Sequence, residues 1–175
     1  MRARGEFALV DQNMQAAIKT SGQPVKRGTM AHEHDVIMLL CEAAVQRRDA
    51  AVLRQYASQL EELALRDAHR LYLPIACRAW GVSHRLDGEH VEAFARLDQS
   101  LKLFGELETR WQIGRTLFEL GELDLARSDQ VGARAHFSQA LEAFDALKAA
   151  PDAERARAAL QGLADGRYAS HHPRQ

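Results

Sequence analysis

The histidines and cysteines of this chain are the first residues to test for chemistry. His32 and His34 flank Glu33, but side chains two positions apart do not share a helix face, so we predict a solvated loop and not a metal site. Cys41 and Cys77 show no metal-binding or redox spacing, which favours two buried free thiols. The sequence has neither a Gly-rich phosphate loop nor the local motif of a Ser/His/Asp or Cys/His set. We therefore predict a protein that is not an enzyme and has no catalytic, cofactor-binding or metal site.

Size, charge and hydrophobicity limit the classes of protein to consider. A chain of 175 residues, 46% hydrophobic and 27% charged, fits one soluble globular domain. Its net charge of -1 provides no basic field, so direct binding to nucleic acid is not expected. The sequence has no apolar run of about 18 residues, and residues 11–13 interrupt any secretory h-region. We expect a cytoplasmic protein that binds no membrane.

Helical spacing of apolar residues dominates the chain from His34 onward, and no strand alternation interrupts it. The pattern predicts seven helices and an all-α fold. Asp49 and Asp129 are the predicted N-caps of the second and sixth helices. The third helix is predicted to begin near Ala68, and Pro151 is predicted to open the last one.

The ends of the chain differ from its middle. Gly22, Pro24 and Gly28 lie close together in residues 1–33, which indicates a loop after a short helix at about 7–19. Met30 could also be the natural first residue, in which case residues 1–29 are not native to the protein. We predict an N-terminal extension at 1–33, a helical domain at 34–165 and a flexible tail at 166–175. The extension could dock on its own domain or on a neighbouring chain.

Two segments forty residues apart indicate an internal repeat. Residues 89–107, EHVEAFARLDQSLKLFGEL, align with residues 129–147, DQVGARAHFSQALEAFDAL. The identical positions are Val91/Val131, Ala93/Ala133, Ala95/Ala135, Gln99/Gln139, Leu101/Leu141, Phe104/Phe144 and Leu107/Leu147. A repeat of this length predicts stacked helix pairs, each of which buries its apolar face against its neighbours.

Each repeat also has a large apolar residue followed by a small one. Trp80-Gly81 and Leu120-Gly121 are the clear examples, and Leu40-Cys41 is the weaker first one. The small residue lets two helix backbones approach closely. Leu97 and Phe137, sixteen positions after the two glycines, are predicted to pack into that gap.

This spacing resembles the tetratricopeptide repeat signature over roughly two thirds of the chain. The period of 40 is longer than the usual 34, and Gly105 and Asp145 stand where that family has its closing proline. The longer unit looks most like the helical arrays of bacterial LuxR/MalT-type ATP-dependent regulators, although their nucleotide-binding and DNA-binding motifs are missing. The resemblance implies a right-handed α-solenoid of about three helix pairs, with residues 152–164 as a C-terminal capping helix.

In tetratricopeptide arrays the first helix of each pair lines a concave groove that binds a peptide or a helix of a partner protein. The resemblance therefore places a partner-binding groove on three helices of this chain. The chaperone-tail clamp is excluded, since Val82 and Glu122 stand where its asparagines would be. The predicted groove residues are Met38, Glu42, Arg78, Val82, Arg85, Arg115, Phe118 and Glu122.

Three functions stay open at this point. The first is an adaptor that binds another protein or peptide in the groove. The second is a regulatory or sensor fragment of a transcriptional-regulator system. The third is a structural subunit that forms homo-oligomers through its N-terminal extension.

Overall fold

The computed structural model describes residues 30–168, with side chains from His34 onward. These residues form seven α-helices and no strand, which confirms the all-α prediction for them. The predicted helix at 7–19, the loop that follows it and the tail beyond Tyr168 lie outside the described residues. The helices are α1 (Met30–Arg47), α2 (Ala50–Arg66), α3 (Tyr72–Leu86), α4 (His90–Glu106), α5 (Arg110–Ala126), α6 (Gln130–Ala146) and α7 (Ala150–Ala164).

The N-caps agree with the sequence prediction, but one helix start does not. Asp49 Oδ1 accepts a hydrogen bond from the Val52 amide at 3.1 Å, and Asp129 caps α6 in the same way. The predicted start of the third helix near Ala68 is wrong, because α3 begins at Tyr72. Ala68 has a φ of 50°, a left-handed conformation that cannot continue a helix.

The turns that end the helices share one backbone conformation and one hydrogen-bond pattern. Each contains a residue with positive φ, and the next amide bonds back to a carbonyl five residues earlier, as in Ala149 to Phe144 at 2.9 Å. This pattern satisfies the last carbonyls of a helix and reverses the chain. The left-handed residues are Arg48, Ala68, Gly88, Glu108, Ser128, Lys148 and Gly166. The first six follow one another at intervals of 20 residues.

Helix packing follows the order of the chain. Each helix packs on the next, and in addition α1 contacts α3 and α3 contacts α5. One hydrophobic cluster joins α1 to α4 around residues such as Leu53 and Ile75, and a second joins α4 to α7 around Leu97 and Phe137. Ile113 packs against both clusters, so the hydrophobic interior is continuous.

Two glycines mark the closest approaches between helices. A Cβ atom added to Gly81 would lie 2.6 Å from Leu97 Cγ, and one added to Gly121 would lie 2.6 Å from Phe137 Cε1. Both partners are the residues that the sequence spacing predicts. Only glycine leaves room for these side chains without repacking.

The last described residue, Tyr168, contacts the helices α6 and α7. A Cβ atom at Gly162 would lie 2.7 Å from the Tyr168 ring, and Gln130 Nε2 donates to the Tyr168 carbonyl at 3.3 Å. The residues between Gly166 and Tyr168, which the sequence places in a flexible tail, thus turn back onto α7 and α6.

The same substitution at two glycines is expected to have opposite effects. In Gly121→Ala, overpacking costs about 1–3 kcal/mol and the better helix propensity returns at most about 1 kcal/mol, so the variant is less stable. Gly105 lies in α4, is exposed and has no described atom within 4 Å of an added Cβ. Gly105→Ala should therefore stabilise the protein by up to about 1 kcal/mol. Urea denaturation followed by circular dichroism measures both changes, and shifts of the same sign would contradict the close packing.

Candidate functional site

Arg78 of α3 is buried in the interior of the protein, with 1% of its surface exposed. Its Nη2 donates to Glu42 Oε1 of α1 at 2.5 Å, and its Nη1 donates to Thr116 Oγ1 of α5 at 3.3 Å. The guanidinium also lies 5.3 Å from the ring centroid of Phe104 in α4. This single side chain therefore connects four helices.

Two ion pairs connect the beginning of the helical stack to α5. Arg115 of α5 forms an ion pair with Glu42, so this carboxylate is paired with two arginines. Arg48, in the turn between α1 and α2, donates from Nη2 to Glu122 Oε2 of α5 at 2.7 Å. One ion pair therefore joins α1 to α5, and the other joins the α1–α2 turn to α5.

Arg85 also forms ion pairs with α5. It lies in α3 one turn after Val82, and the Val82 side chain is fully buried. Its Nη2 donates to Glu119 Oε2 at 3.1 Å, while its Nη1 lies 3.7 Å from Glu122 Oε2. Its Nε atom is buried and has no hydrogen-bond partner within the described structure. The ion pairs thus form two groups: Arg78 and Arg115 pair with Glu42, whereas Arg48 and Arg85 pair with Glu119 and Glu122. We call the residues of both groups together the arginine network: Glu42, Arg48, Arg78, Arg85, Arg115, Glu119 and Glu122.

Burial and the two arginines act on Glu42 in opposite directions. Burial alone raises the pKa of its carboxyl, but Arg78 and Arg115 more than offset this and hold the pKa below its ordinary value of 4.5. Glu42 is therefore ionised at neutral pH and links two guanidinium groups.

This arrangement predicts that acid weakens the fold through Glu42. A carboxyl whose pKa is lower in the folded state stabilises the protein above the unfolded pKa and loses that contribution as the pH falls through the folded pKa. The unfolding free energy should therefore begin to fall near pH 4.5 and continue to fall below it. Glu42→Gln removes this titration, so urea midpoints measured at pH values between about 5 and about 3 should show a shallower dependence on pH than in the wild type. An equal or steeper dependence in the variant would contradict the role of Glu42.

The eight residues predicted to line the groove occupy two different environments. Glu42, Arg78, Arg85, Arg115 and Glu122 belong to the arginine network, where they contact one another instead of facing solvent separately.

The other three residues lie in hydrophobic surroundings. Phe118 packs 5.1 Å from the Phe137 ring and lies under the Arg155 guanidinium at 4.5 Å, so it supports the contact between α5, α6 and α7. Val82 belongs to the first hydrophobic cluster, and Met38 is partly buried against it.

Sequence reasoning missed a cluster of ionisable and aromatic residues around His34. His34 lies in α1 with 3% of its surface exposed, so the predicted solvated loop is wrong at this position. Its Nε2 lies 3.1 Å from Asp67, and its ring stacks on Tyr72 at 5.1 Å. Tyr72 donates to Asp35 at 2.5 Å, and burial together with this carboxylate raises the pKa of Tyr72 to about 12. The partners come from α1, from the α2–α3 turn and from the start of α3, so no local motif indicates the cluster.

Both cysteines are buried free thiols, as the sequence predicts. Burial raises the pKa of the Cys77 thiol to about 11 and shifts Cys41 in the same direction, so both are poor nucleophiles at neutral pH. Among the residues that the structure describes, no group of three or more His, Cys, Asp or Glu side chains could hold a metal ion. In the same part of the chain, no helix is both long enough and apolar enough to cross a bilayer.

An open cleft of about 470 Å³ lies at one edge of the helices, beside the N-terminus of α5. Leu71, Trp111 and Leu147 form its apolar lining and are each partly exposed. Trp111 is held in place because its Nε1 donates to Asp152 at 2.9 Å. The remaining lining residues are polar or charged: Glu108, Thr109, Arg110 and Gln112.

No protein-family model matches this chain, and no curated protein matches it.

Proposed function

We propose that this protein is a non-enzymatic scaffold that binds a peptide or a helix of a partner protein on the face that carries the arginine network. In this proposal the fold is a right-handed, tetratricopeptide-like α-solenoid of about three helix pairs with a period of 40 and a C-terminal capping helix. Two features support it: the turns at 20-residue intervals and the matched contacts at Gly81 and Gly121.

The observation that carries the proposal is the bridge between the first helices of the three pairs. Glu42 of α1 pairs with Arg78 of α3 and with Arg115 of α5, and Arg85 of α3 pairs with Glu119 of α5. Arginine combined with aromatic neighbours is typical of residues that anchor protein interfaces, and Arg115 lies 4.8 Å from the Trp111 ring centroid.

The burial of the network determines how the proposal must be tested. Charge reversal at Arg78 would disrupt the interior and confuse folding with binding, since its side chain is 1% exposed. Arg48 is the accessible member, with 54% of its side chain exposed. It is therefore the position at which a probe can report on a bound partner.

A photo-crosslinking amino acid placed at position 48, in cells that naturally contain the protein, tests the proposal. We expect covalent capture of one defined protein, identified by mass spectrometry. The same amino acid at Val131, which is exposed and lies outside the network, is the control and should not capture it. Equal capture at both positions, or none at position 48, would rule out this face as the binding site.

The assignment to a bacterial protein similar to LuxR/MalT-type arrays is part of the same proposal and rests on the resemblance of the longer repeat unit to those arrays. A cytoplasmic location is also part of the proposal. The other two hypotheses, a regulatory fragment of a transcriptional-regulator system and a self-associating structural subunit, stay predictions. Light scattering measures the oligomeric state before and after removal of residues 1–29. The self-associating hypothesis requires an oligomer that becomes a monomer when these residues are removed.

A further inference from the structure

We propose that residues 7–18 pack on an uncovered face of α1 in the same chain and close the N-terminal end of the helical stack. This face carries Val36, Leu39 and Ala43, whose spacing of three and four residues places them on one side of α1. We call these three residues the α1 stripe. The inference does not depend on the proposed function.

The repeat shows that the α1 stripe corresponds to surfaces that are buried elsewhere in the stack. The residues forty and eighty positions later, in α3 and α5, are all at most 7% exposed. In α1, by contrast, Leu39 is 47% exposed, and Val36 and Ala43 are partly exposed. The corresponding residues are Ala76, Ala79 and Ser83 in α3, and Thr116, Glu119 and Leu123 in α5.

The helix that precedes α3 or α5 covers part of these corresponding surfaces. Ser83 of α3 donates from Oγ to the Ala50 carbonyl of α2 at 3.2 Å. The Thr116 hydroxyl of α5 lies 3.4 Å from the Ser100 hydroxyl of α4. Among the described helices, none precedes α1, which packs on α2 and α3. The α1 stripe therefore lies where a preceding helix would pack.

The sequence before α1 contains an apolar segment suited to this place. Phe7, Val10, Met14 and Ile18 follow one another at intervals of three or four residues, a spacing that predicts one apolar side of a helix. Ala16 falls on the opposite side of the same predicted helix. An amphipathic helix is stabilised when its apolar side packs on another helix.

The spacing of the turns indicates where the chain reverses before α1. Residues with positive φ recur every 20 residues from Arg48 to Lys148, and the residue 20 positions before Arg48 is Gly28. Glycine adopts positive φ without steric cost. A turn at Gly28 would direct the preceding segment antiparallel to α1 and bring Met14 and Ile18 opposite the α1 stripe.

The length of the connection favours docking within one chain. Residues 19–29, if extended, span up to roughly 36 Å, whereas α1 with its 18 residues is about 27 Å long. Residues 7–18 can therefore reach the α1 stripe of their own chain. Because this short connection gives the two surfaces a high effective concentration, docking within the chain is favoured over docking on a neighbouring chain.

A photo-crosslinking amino acid at position 39 of the full chain tests this inference. We expect a covalent bond to residues 7–18, located by peptide mass spectrometry, in a protein that still migrates as a monomer on a denaturing gel. The same amino acid at Val91, which lies in α4 and is 78% exposed, is the control and should not react with that segment. No cross-link from position 39 to residues 7–18, or one that joins two chains, would overturn the inference.

Two variants of the segment test whether its apolar side makes the contact. Ile18→Glu places a charge against the α1 stripe and should lower the cross-link yield by about tenfold or more, because the burial of an apolar side chain is lost. Ala16→Glu adds the same charge on the opposite side and should leave the yield unchanged, since alanine and glutamate are both good helix formers. Equal yields from the two variants would contradict the proposed packing.

The outcomes also separate this inference from the other proposals. A cross-link from position 39 to residues 7–18 of a second chain would support the self-associating hypothesis instead. Capture of a partner at position 48 tests the proposed function by itself, so either proposal can fail while the other stands.

Discussion

Arg78→Ala is expected to lower the free energy of unfolding by about 3 kcal/mol or more, since loss of one member of a buried ion pair leaves its partner without full compensation. Glu42 keeps Arg115, but it loses the guanidinium that donates at 2.5 Å, and Thr116 loses a donor in the interior. Urea denaturation followed by circular dichroism measures the change.

Two further variants show whether charge is the cause of this loss. Arg54→Ala removes an exposed arginine from its pair with Asp87 and should cost at most about 1 kcal/mol. The double variant Arg78→Met with Glu42→Leu replaces both charges by apolar groups and should recover most of the stability, because apolar residues often substitute well for a buried ion pair. A loss below about 1 kcal/mol for Arg78→Ala would show that the network contributes little to the fold.

Phe137→Ala is the second substitution with a large expected effect, a loss of about 3–5 kcal/mol. The Phe137 side chain is fully buried, fills the space above Gly121 and packs 5.1 Å from the Phe118 ring. Its truncation therefore leaves a cavity where α5 and α6 are closest. The midpoint of thermal or urea denaturation reports the loss.

The neighbouring repeat provides the comparison for this prediction. Leu97 occupies the corresponding place above Gly81, so Phe137→Leu should cost much less than Phe137→Ala. Phe94→Ala is the exposed control, since 45% of the Phe94 surface is accessible, and it should change stability by at most about 1 kcal/mol. Equal losses for Phe137→Ala and Phe94→Ala would contradict the assignment of Phe137 to the interior.

Local sequence rules were sufficient to predict the helices and the contacts between the two helices of each pair. A side-chain oxygen at Asp49 or Asp129 caps the helix that follows it, because the free amides at a helix start need an acceptor. The interval between Gly121 and Phe137 follows from the length of one helix and one short turn. These features depend on neighbours close in the chain, so their spacing in the sequence predicts them.

The candidate site could not be predicted from local sequence rules alone. The tetratricopeptide resemblance selected five of its seven members but missed Arg48 and Glu119. Residue spacing also does not show that Arg48 reaches Glu122 or that Arg115 reaches Glu42. Those contacts depend on the angle between successive helix pairs, which small differences in side-chain packing decide.

The sequence by itself determined that this chain forms helices, where most of them begin and end, and which small residues accept a large neighbour. Only the tertiary structure decided which charges neutralise one another and that His34 is buried beside Asp67 and Tyr72. It alone also showed that Arg85 Nε has no acceptor among the residues it describes. The physical reason is the distance along the chain over which each kind of interaction acts. Helix propensity, capping and side-chain periodicity act over a few residues, whereas burial and ion pairing depend on segments that are distant in the chain and meet only when the helices stack.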